Sequence, residues 1–336
     1  MKPVAVDAMG GDKGPAEIVS GARQAAEKLG VPVWLFGRPD VVDAAGPGGL
    51  EVVACSEVIE MHDDPGVSVR RKKDASVLRA AEAVRDGTAS AMVSAGNTGA
   101  AMASALLRIG RIRGVHRPAI ATPIPVPGSR PTVLLDAGAN TECQAGWLVQ
   151  FAQMGAAYAR TRYGLAQPRV GLLSVGEEAT KGTNLVKDAH ALLADPSWNV
   201  ASGGTFVGNV EGRDVMTDEV DVVVTDGFTG NVVLKTLEGG MHFVERALLE
   251  AMTATEELRA AFEVLWPAVL PLVTALDPDS YGGAMLLGVD GVCIISHGSS
   301  TANAIVNALD VAREMVTADL VGALRTAVSA PAVDPT

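Results

Sequence analysis

Cysteine is scarce in this chain: Cys55, Cys143 and Cys293 are the only three in 336 residues. They are scattered and odd in number, which excludes a disulfide framework and a zinc-type spacing and points to a reducing cytoplasm. Aromatic residues are also few, 4% of the sequence, so any core must be built from aliphatics and alanine. Basic residues fall short of acidic ones, 27 against 39, for a formal net charge of -12. That balance argues against nucleic acid as the main partner. No apolar run reads as a membrane span, and Val4–Met9 is too short for the apolar core of a leader peptide. Several common catalytic signatures are missing as well. There is no G-x-G-x-x-G with an acidic residue some twenty positions on, no Walker A lysine, no G-x-S-x-G elbow and no cysteine pair.

What is present is one unit, repeated. Asp221–Gly240, DVVVTDGFTGNVVLKTLEGG, opens with β-branched residues suited to a buried parallel strand, turns through two glycines, and continues at near-helical spacing. The same strand-turn grammar recurs at Val4–Gly14, Ala91–Ala100, Val133–Asn140, Val170–Gly182 and Cys293–Thr301. Six such strands predict an open, mostly parallel α/β sheet in a three-layer sandwich, with its site along the carboxyl edge. Helices are expected from Pro15, over Ala75–Asp86, over Gln144–Tyr163 with an amphipathic stripe, over Asn184–Leu193 and over Thr301–Leu324. Pro39–Leu50 reads as loop and Met61–Asp74 as irregular. Met241–Thr274 reads as helix broken at Pro267 and Pro271, a helical hairpin whose apolar tip is Phe262–Val273. Residues 1–325 are expected to form one α/β unit, with the hairpin at about 241–278 and a disordered tail at 326–336.

The turns supply glycines, hydroxyls, amides, lysine and histidine at strand ends, where helix N-termini favour an anion. Candidate phosphate or substrate contacts are Asp7, Gly10 and Gly11; Ser94, Gly96, Asn97, Thr98 and Gly99; Asn209; Asp226, Gly227, Thr229 and Gly230; and Ser299. Lys181, Asn231 and His297 are the candidates for the chemistry itself. Each has a plain structural alternative: a surface lysine, a turn-forming asparagine, a satisfied histidine. Lys235 could equally be solvated. Asp7, Asp136 and Asp226 could bind a divalent ion but more simply form turns, so neither metal nor cofactor is expected. Cys143 has no base beside it in sequence to make it a nucleophile. An anion site poor in strong acids and bases suits transfer to phosphate, whose dianion is already nucleophilic and needs positioning. A thioester donor fits, because its thiolate leaves readily while amide, imidazole and backbone donors hold the oxyanion.

Longer motifs carry a resemblance. VAVDAMGGD at Val4–Asp12, VSAGNTGA at Val93–Ala100, LLDAGAN at Leu134–Asn140 and Lys181-Gly182 resemble the phosphate acyltransferase family called PlsX. So do GNVEGRD at Gly208–Asp214, DVVVTDGFTGN at Asp221–Asn231, YGGAMLLG at Tyr281–Gly288 and HGSS at His297–Ser300. The resemblance implies a Rossmann-like αβα fold related to phosphotransacetylases and isocitrate/isopropylmalate dehydrogenases. It implies a cytoplasmic homodimer that moves a fatty acyl group from acyl carrier protein to inorganic phosphate. Peripheral membrane contact through the hairpin, here Leu265, Trp266, Val269 and Leu270, would couple it to a membrane glycerol-3-phosphate acyltransferase. Acyl carrier protein is acidic, so docking is expected on Arg70, Arg71, Lys72 and Lys73 or on Arg108, Arg111 and Arg113. Two other readings stand beside this one: a non-catalytic scaffold for acyl carrier protein and membrane, and a phosphotransacetylase using acyl-CoA.

Overall fold

The computed structural model describes residues 1–329. The strands are β1 (Val4–Asp7), β2 (Val33–Gly37), β3 (Glu51–Ala54), β4 (Ala91–Ser94), β5 (Ala119–Ile124), β6 (Thr132–Leu135), β7 (Arg169–Leu173), β8 (Thr205–Val210), β9 (Val222–Val224), β10 (Ala284–Leu287) and β11 (Val292–Ile295). The α-helices are α1 (Pro15–Leu29), α2 (Pro39–Ala44), α3 (Pro65–Arg71), α4 (Ser76–Arg85), α5 (Thr98–Ser104), α6 (Ala145–Tyr163), α7 (Asn184–Leu193), α8 (Pro196–Ser202), α9 (Gly227–Met252), α10 (Glu256–Leu276), α11 (Ala302–Thr317) and α12 (Leu320–Ser329).

One sheet of eleven strands runs in the order β3-β2-β1-β4-β11-β10-β5-β6-β9-β7-β8. From β3 to β11 all neighbours are parallel. Then β10 is antiparallel to β11, β5 to β10 and β6 to β5, after which β6, β9, β7 and β8 are again parallel to one another. The two parallel halves therefore point in opposite directions, and their carboxyl ends lie at opposite edges. The single carboxyl edge expected from sequence is in fact two edges: β10, antiparallel to both neighbours, leaves β5 pointing the same way as β11, and β6 then turns back beside β5 with β9, β7 and β8 following it.

Side chains alternate between the two faces. Val4 and Val6 join Ile18, Val19 and Ala22 of α1 and Ile305 of α11 in one buried layer, whereas Ala5 joins Leu78 and Ala81 of α4 in the other. Each large aliphatic fully buried this way contributes about 1.5–3 kcal/mol. Pro15 starts α1, and Gly30, in the left-handed region at φ 65, stops it. The α6 stripe turns out not to be a stripe: Leu148 to Ala159 is buried on all sides.

Several expected boundaries move. The loop at Pro39–Leu50 begins with α2, whose first position suits the fixed φ of Pro39. The irregular stretch contains α3, capped by Asp64, whose Oδ1 accepts from the Val67 amide at 2.8 Å. The closing helix divides into α11 and α12 at Asp319, φ 51. Of the tail expected at 326–336, residues 326–329 belong to α12, which runs to Ser329, and the rest lies outside the described residues.

The hairpin differs most. It begins not near Met241 but at Gly227, because α9 continues through Gly239 and Gly240. It turns at Thr253–Thr255, so Phe262–Val273 lies on the shaft and the tip is polar. Pro267 and Pro271 sit inside an unbroken α10. The residues four before each, Glu263 and Pro267, are exposed, which leaves the carbonyls that lose a donor open to water. Unbroken, α10 is long and apolar enough to span a membrane by length and composition, contrary to the reading of its sequence, and none of it is buried.

Candidate active site

The inverted sheet leaves each edge with its own cluster of turns. On the β1–β4–β11 edge, Asp7 is buried and accepts from the hydroxyls of Ser76 at 2.6 Å and Ser94 at 2.7 Å. Burial pushes this carboxyl up, while the two hydroxyls oppose the shift. Gly10 and Gly96 meet so closely that a Cβ on Gly10 would sit 2.5 Å from the Gly96 amide. The Asp12 amide donates to the Gly298 carbonyl at 2.7 Å, tying the His297–Ser299 turn to the first turn. Asn97 caps α5, and its Nδ2 donates to the carbonyls of Met61 at 2.9 Å and Asp63 at 3.2 Å. Gly99 lies against Pro65.

On the opposite edge, Asp136 organises the loop after β6. Its carboxylate accepts from the amides of Ile120, Gly138, Ala139 and Asn140 at 2.8–3.1 Å. Burial raises this group too, against the pull of those amides. The first turn of α9 is pressed onto this loop. A Cβ on Gly227 would come within 2.7 Å of the Asn140 backbone, and one on Gly230 would overlap the Asp136 carbonyl. Asp226 caps the helix, accepting from the Thr229 amide and hydroxyl at 2.8 Å. Asn231 donates to the Ala137 carbonyl at 3.2 Å. These aspartates are acceptors for backbone and hydroxyl donors, and among the described residues no three His, Cys, Asp or Glu groups gather as a metal ion would require. The anion role expected of the helix N-termini is partly taken. Asn97, Asp226 and Thr301 cap α5, α9 and α11, and Glu17 accepts the Ala302 amide at 2.7 Å.

Because α9 starts at one edge and crosses a face of the sheet to the other, it closes a cleft over β5, β10 and β11. The cleft holds about 150 Å³ and is lined by Thr98, Asn231, Lys235, Glu238, Ser296 and His297 among apolar residues. His297 Nε2 lies 3.3 Å from Glu238 Oε1, and Lys235 Nζ lies 2.8 Å from Glu238 Oε2. Burial would push the Glu238 carboxyl up, but His297 and Lys235 outweigh it and hold it at about 2. The Ser296 hydroxyl is buried at the cleft and has no partner among the described residues.

The sequence candidates thus fall into three places. His297, Asn231 and Thr98 share the cleft. Asp7, Gly10, Gly11, Ser94, Gly96, Gly99, Asp226, Gly227, Thr229 and Gly230 build the turns at the two edges and do not line the cleft. Lys181 and Asn209 lie apart, on the β7–β8 side, where Asn209 Nδ2 donates to the Glu178 carbonyl at 2.9 Å and Lys181 is exposed. With β9 between β6 and β7, that loop starts about 10 Å from the β6 loop. Glu238 and Ser296 are absent from the sequence candidates. Glu238 follows Asn231 by seven residues, two helical turns, and that spacing signals a shared face once α9 is taken as one helix. The Cys143 thiol is pushed up to about 12 by burial and by the nearby Asp136 charge, which removes it as a thiolate nucleophile at neutral pH.

The basic clusters are not equally free. Lys72 is held by Asp63 at 2.6 Å and the Val58 carbonyl at 2.7 Å, but Arg70, Arg71 and Lys73 are exposed. Arg108 pairs with Glu82 at 3.1 Å and Arg111 donates to the His116 carbonyl, leaving Arg113 exposed. On α10, Leu265 and Leu270 are exposed, Trp266 leans on Phe262 with ring centres 5.3 Å apart, and Val269 is half-buried.

Comparison with known proteins agrees with this architecture. Residues 2–322 match the model of a family described as fatty acid synthesis protein. The phosphate acyltransferase of Heliobacterium modesticaldum is 46% identical over 330 residues, covering 96% of each chain. That of Pelotomaculum thermopropionicum is 47% identical, covering 97% of this chain and 94% of its own. Among solved structures, EutD phosphotransacetylase from Staphylococcus aureus superposes with a TM-score of 0.59 at 14% identity, covering 98% of this chain and 94% of that one. A branched-chain phosphotransacylase from Enterococcus faecalis gives 0.58 at 15%, covering 94% and 99%. At that identity the structural likeness speaks for the fold: a Rossmann-like αβα sandwich. Matched along nearly its whole length, the chain belongs to the fatty acid synthesis protein family, together with these phosphate acyltransferases.

Proposed function

We propose that this enzyme moves a fatty acyl group from the thioester of acyl carrier protein to inorganic phosphate. The observation that carries this is identity of 46–47% to phosphate acyltransferases across nearly the full length of both chains. A phosphate oxygen attacks the thioester carbonyl, the C–O bond forms, and the tetrahedral intermediate collapses by breaking the C–S bond. The carrier thiolate leaves and takes a proton, and acyl phosphate remains.

His297 is the donor beside the reacting carbonyl, and Glu238 orients its ring and balances its charge. Asn231 fixes the inner end of the cleft. Lys235 provides the cation nearest the reacting groups. Lys181 is a second cation, on an exposed loop apart from the cleft, and its hold on phosphate is what Lys181→Ala tests. Arg70, Arg71 and Lys73 dock the acidic carrier protein; three exposed cations stand together there, whereas Arg108 and Arg111 of the other cluster are engaged and leave Arg113, and α3 packs beside α5 at the edge that holds His297. The unburied apolar surface of α10 supports two further roles, a homodimer contact and peripheral attachment to the cytoplasmic membrane face. There the product would be handed to a membrane glycerol-3-phosphate acyltransferase.

The test is phosphate-dependent release of free thiol from acyl-acyl carrier protein, with acyl-CoA in parallel. Turnover with the carrier-protein donor is expected. Turnover with acyl-CoA alone would reassign the enzyme as a phosphotransacetylase, and none with either donor from folded protein would leave a scaffold.

A further inference from the structure

The cleft has an apolar interior that the reacting groups do not use. Ile120 and Ile124 of β5 form its floor, Ile295 of β11 lies beside them, and Leu234, Leu237 and Met241 of α9 form a wall. Its polar groups gather where Glu238 meets His297, next to the unpartnered Ser296 hydroxyl. From Asn231 to Met241 the helix covers about 15 Å. A volume of about 150 Å³ matches the apolar cavity that accepts benzene, so it takes about six carbons.

We propose that this cleft binds the thioester-proximal segment of the donor's acyl chain, the first six or so carbons, with the carbonyl oxygen held by Ser296 and His297. This rests on the acyl-transfer reading of the same site. The occupant follows from continuity: the apolar chamber adjoins His297, so it receives what the carbonyl carries. Beyond six carbons the chain leaves past Met241, where α9 parts from the body and Phe243 and Val244 are already exposed. Discrimination between chains is therefore concentrated in the carbons nearest the thioester.

The test uses unreactive alkyl phosphates of two, four, six, ten and sixteen carbons, below their micelle concentrations, with calorimetric binding to the intact protein. Affinity should climb by up to about fourfold per methylene as far as six carbons, then flatten. Leu234→Trp, which fills the chamber, should weaken hexyl phosphate binding at least tenfold and raise the acyl-donor KM while the phosphate KM stays put. Met241→Trp, at the more exposed rim, serves if Leu234→Trp does not fold, and should weaken the ten- and sixteen-carbon ligands most. Affinity independent of length below six carbons, or rising evenly to sixteen, overturns the proposal. Length-dependent binding without turnover of any thioester would instead sink the acyl-transfer reading and keep the chamber.

Discussion

Gly230→Ala tests how the site is held together. The α9 helix reaches the cleft only because its first turn lies directly on the Asp136 loop. A Cβ at Gly230 overlaps the Asp136 carbonyl oxygen and comes within 3.0 Å of Thr225 Cγ2. The first obstacle is backbone, anchored by the four amides that hold the Asp136 carboxylate, so neither side can rotate away. Overpacking of this kind costs about 1–3 kcal/mol. The helix must also shift by about an ångström, carrying Asn231, Lys235 and Glu238 with it, and a displacement of that size can lower turnover about a hundredfold. Gly239→Ala is the control. It lies in the same helix with nothing within 4 Å of the added carbon, and should stabilise by about 0.5–1 kcal/mol. Urea unfolding gives the stability difference and phosphate-dependent thiol release gives the rate. Wild-type midpoint and turnover in Gly230→Ala would refute the claim that contact at this loop positions the cleft.

Three further outcomes follow from the site. Glu238 is depressed from 4.5 to about 2, so its contribution to stability is present above pH 4.5 and is lost as pH falls through about 2. Allowing for its partial exposure, Glu238→Gln should lose roughly 1–2 kcal/mol at neutral pH and flatten the acid-unfolding profile in that window; an unchanged profile counts against the His297–Glu238–Lys235 network. His297→Ala should lower kcat more than it changes KM, and Lys181→Ala should raise the phosphate KM, both read from initial rates. Wild-type kinetics in both folded variants would take them out of the mechanism. Arg70→Glu with Arg71→Glu should raise the KM for the carrier-protein donor several-fold and weaken its salt dependence, whereas the same change at Arg113 should not; the reverse pattern would move the dock.

Local signals in the sequence carried the strands and turns well. Val4–Asp7, Ala91–Ser94 and Val222–Val224 are short β-branched or apolar runs closed by Gly, Asp or Asn, and such runs state their own ends. The inversion of the sheet was not legible, because the direction of the β5–β6 pair relative to the first half is fixed only where Met285 of β10 pairs with Ala121, 164 residues away. The cleft was half legible. His297, Asn231 and Thr98 stand at turns, where chemistry is expected. Glu238 was hidden because it lies two turns inside a helix, away from the turns where candidates were sought, and its partner His297 is far along the chain; the hairpin was also divided from this unit at Gly240, whereas α9 runs on through Gly239 and Gly240 at about 1 kcal/mol each. The hairpin's prolines misled in the same way: Pro267 and Pro271 break a pattern on paper but lie on a helix with water at its flanks.

The insertion of β10 and β11 between β4 and β5 also sets an order of events during synthesis. Until residues 284–295 emerge, the chain can form only two separate sheets, β3-β2-β1-β4 and β5-β6-β9-β7-β8. Each then carries a bare inner edge, β4 or β5, ready to pair with another chain. The last strands made are thus the ones that join the halves, and the side of the cleft that carries Ile295, Ser296 and His297 exists only once they arrive. A nascent chain stalled before Ala284 would hold Asn231, Lys235 and Glu238 but neither Ser296 nor His297, with its two open edges exposed to chaperones or to its neighbours on the polysome.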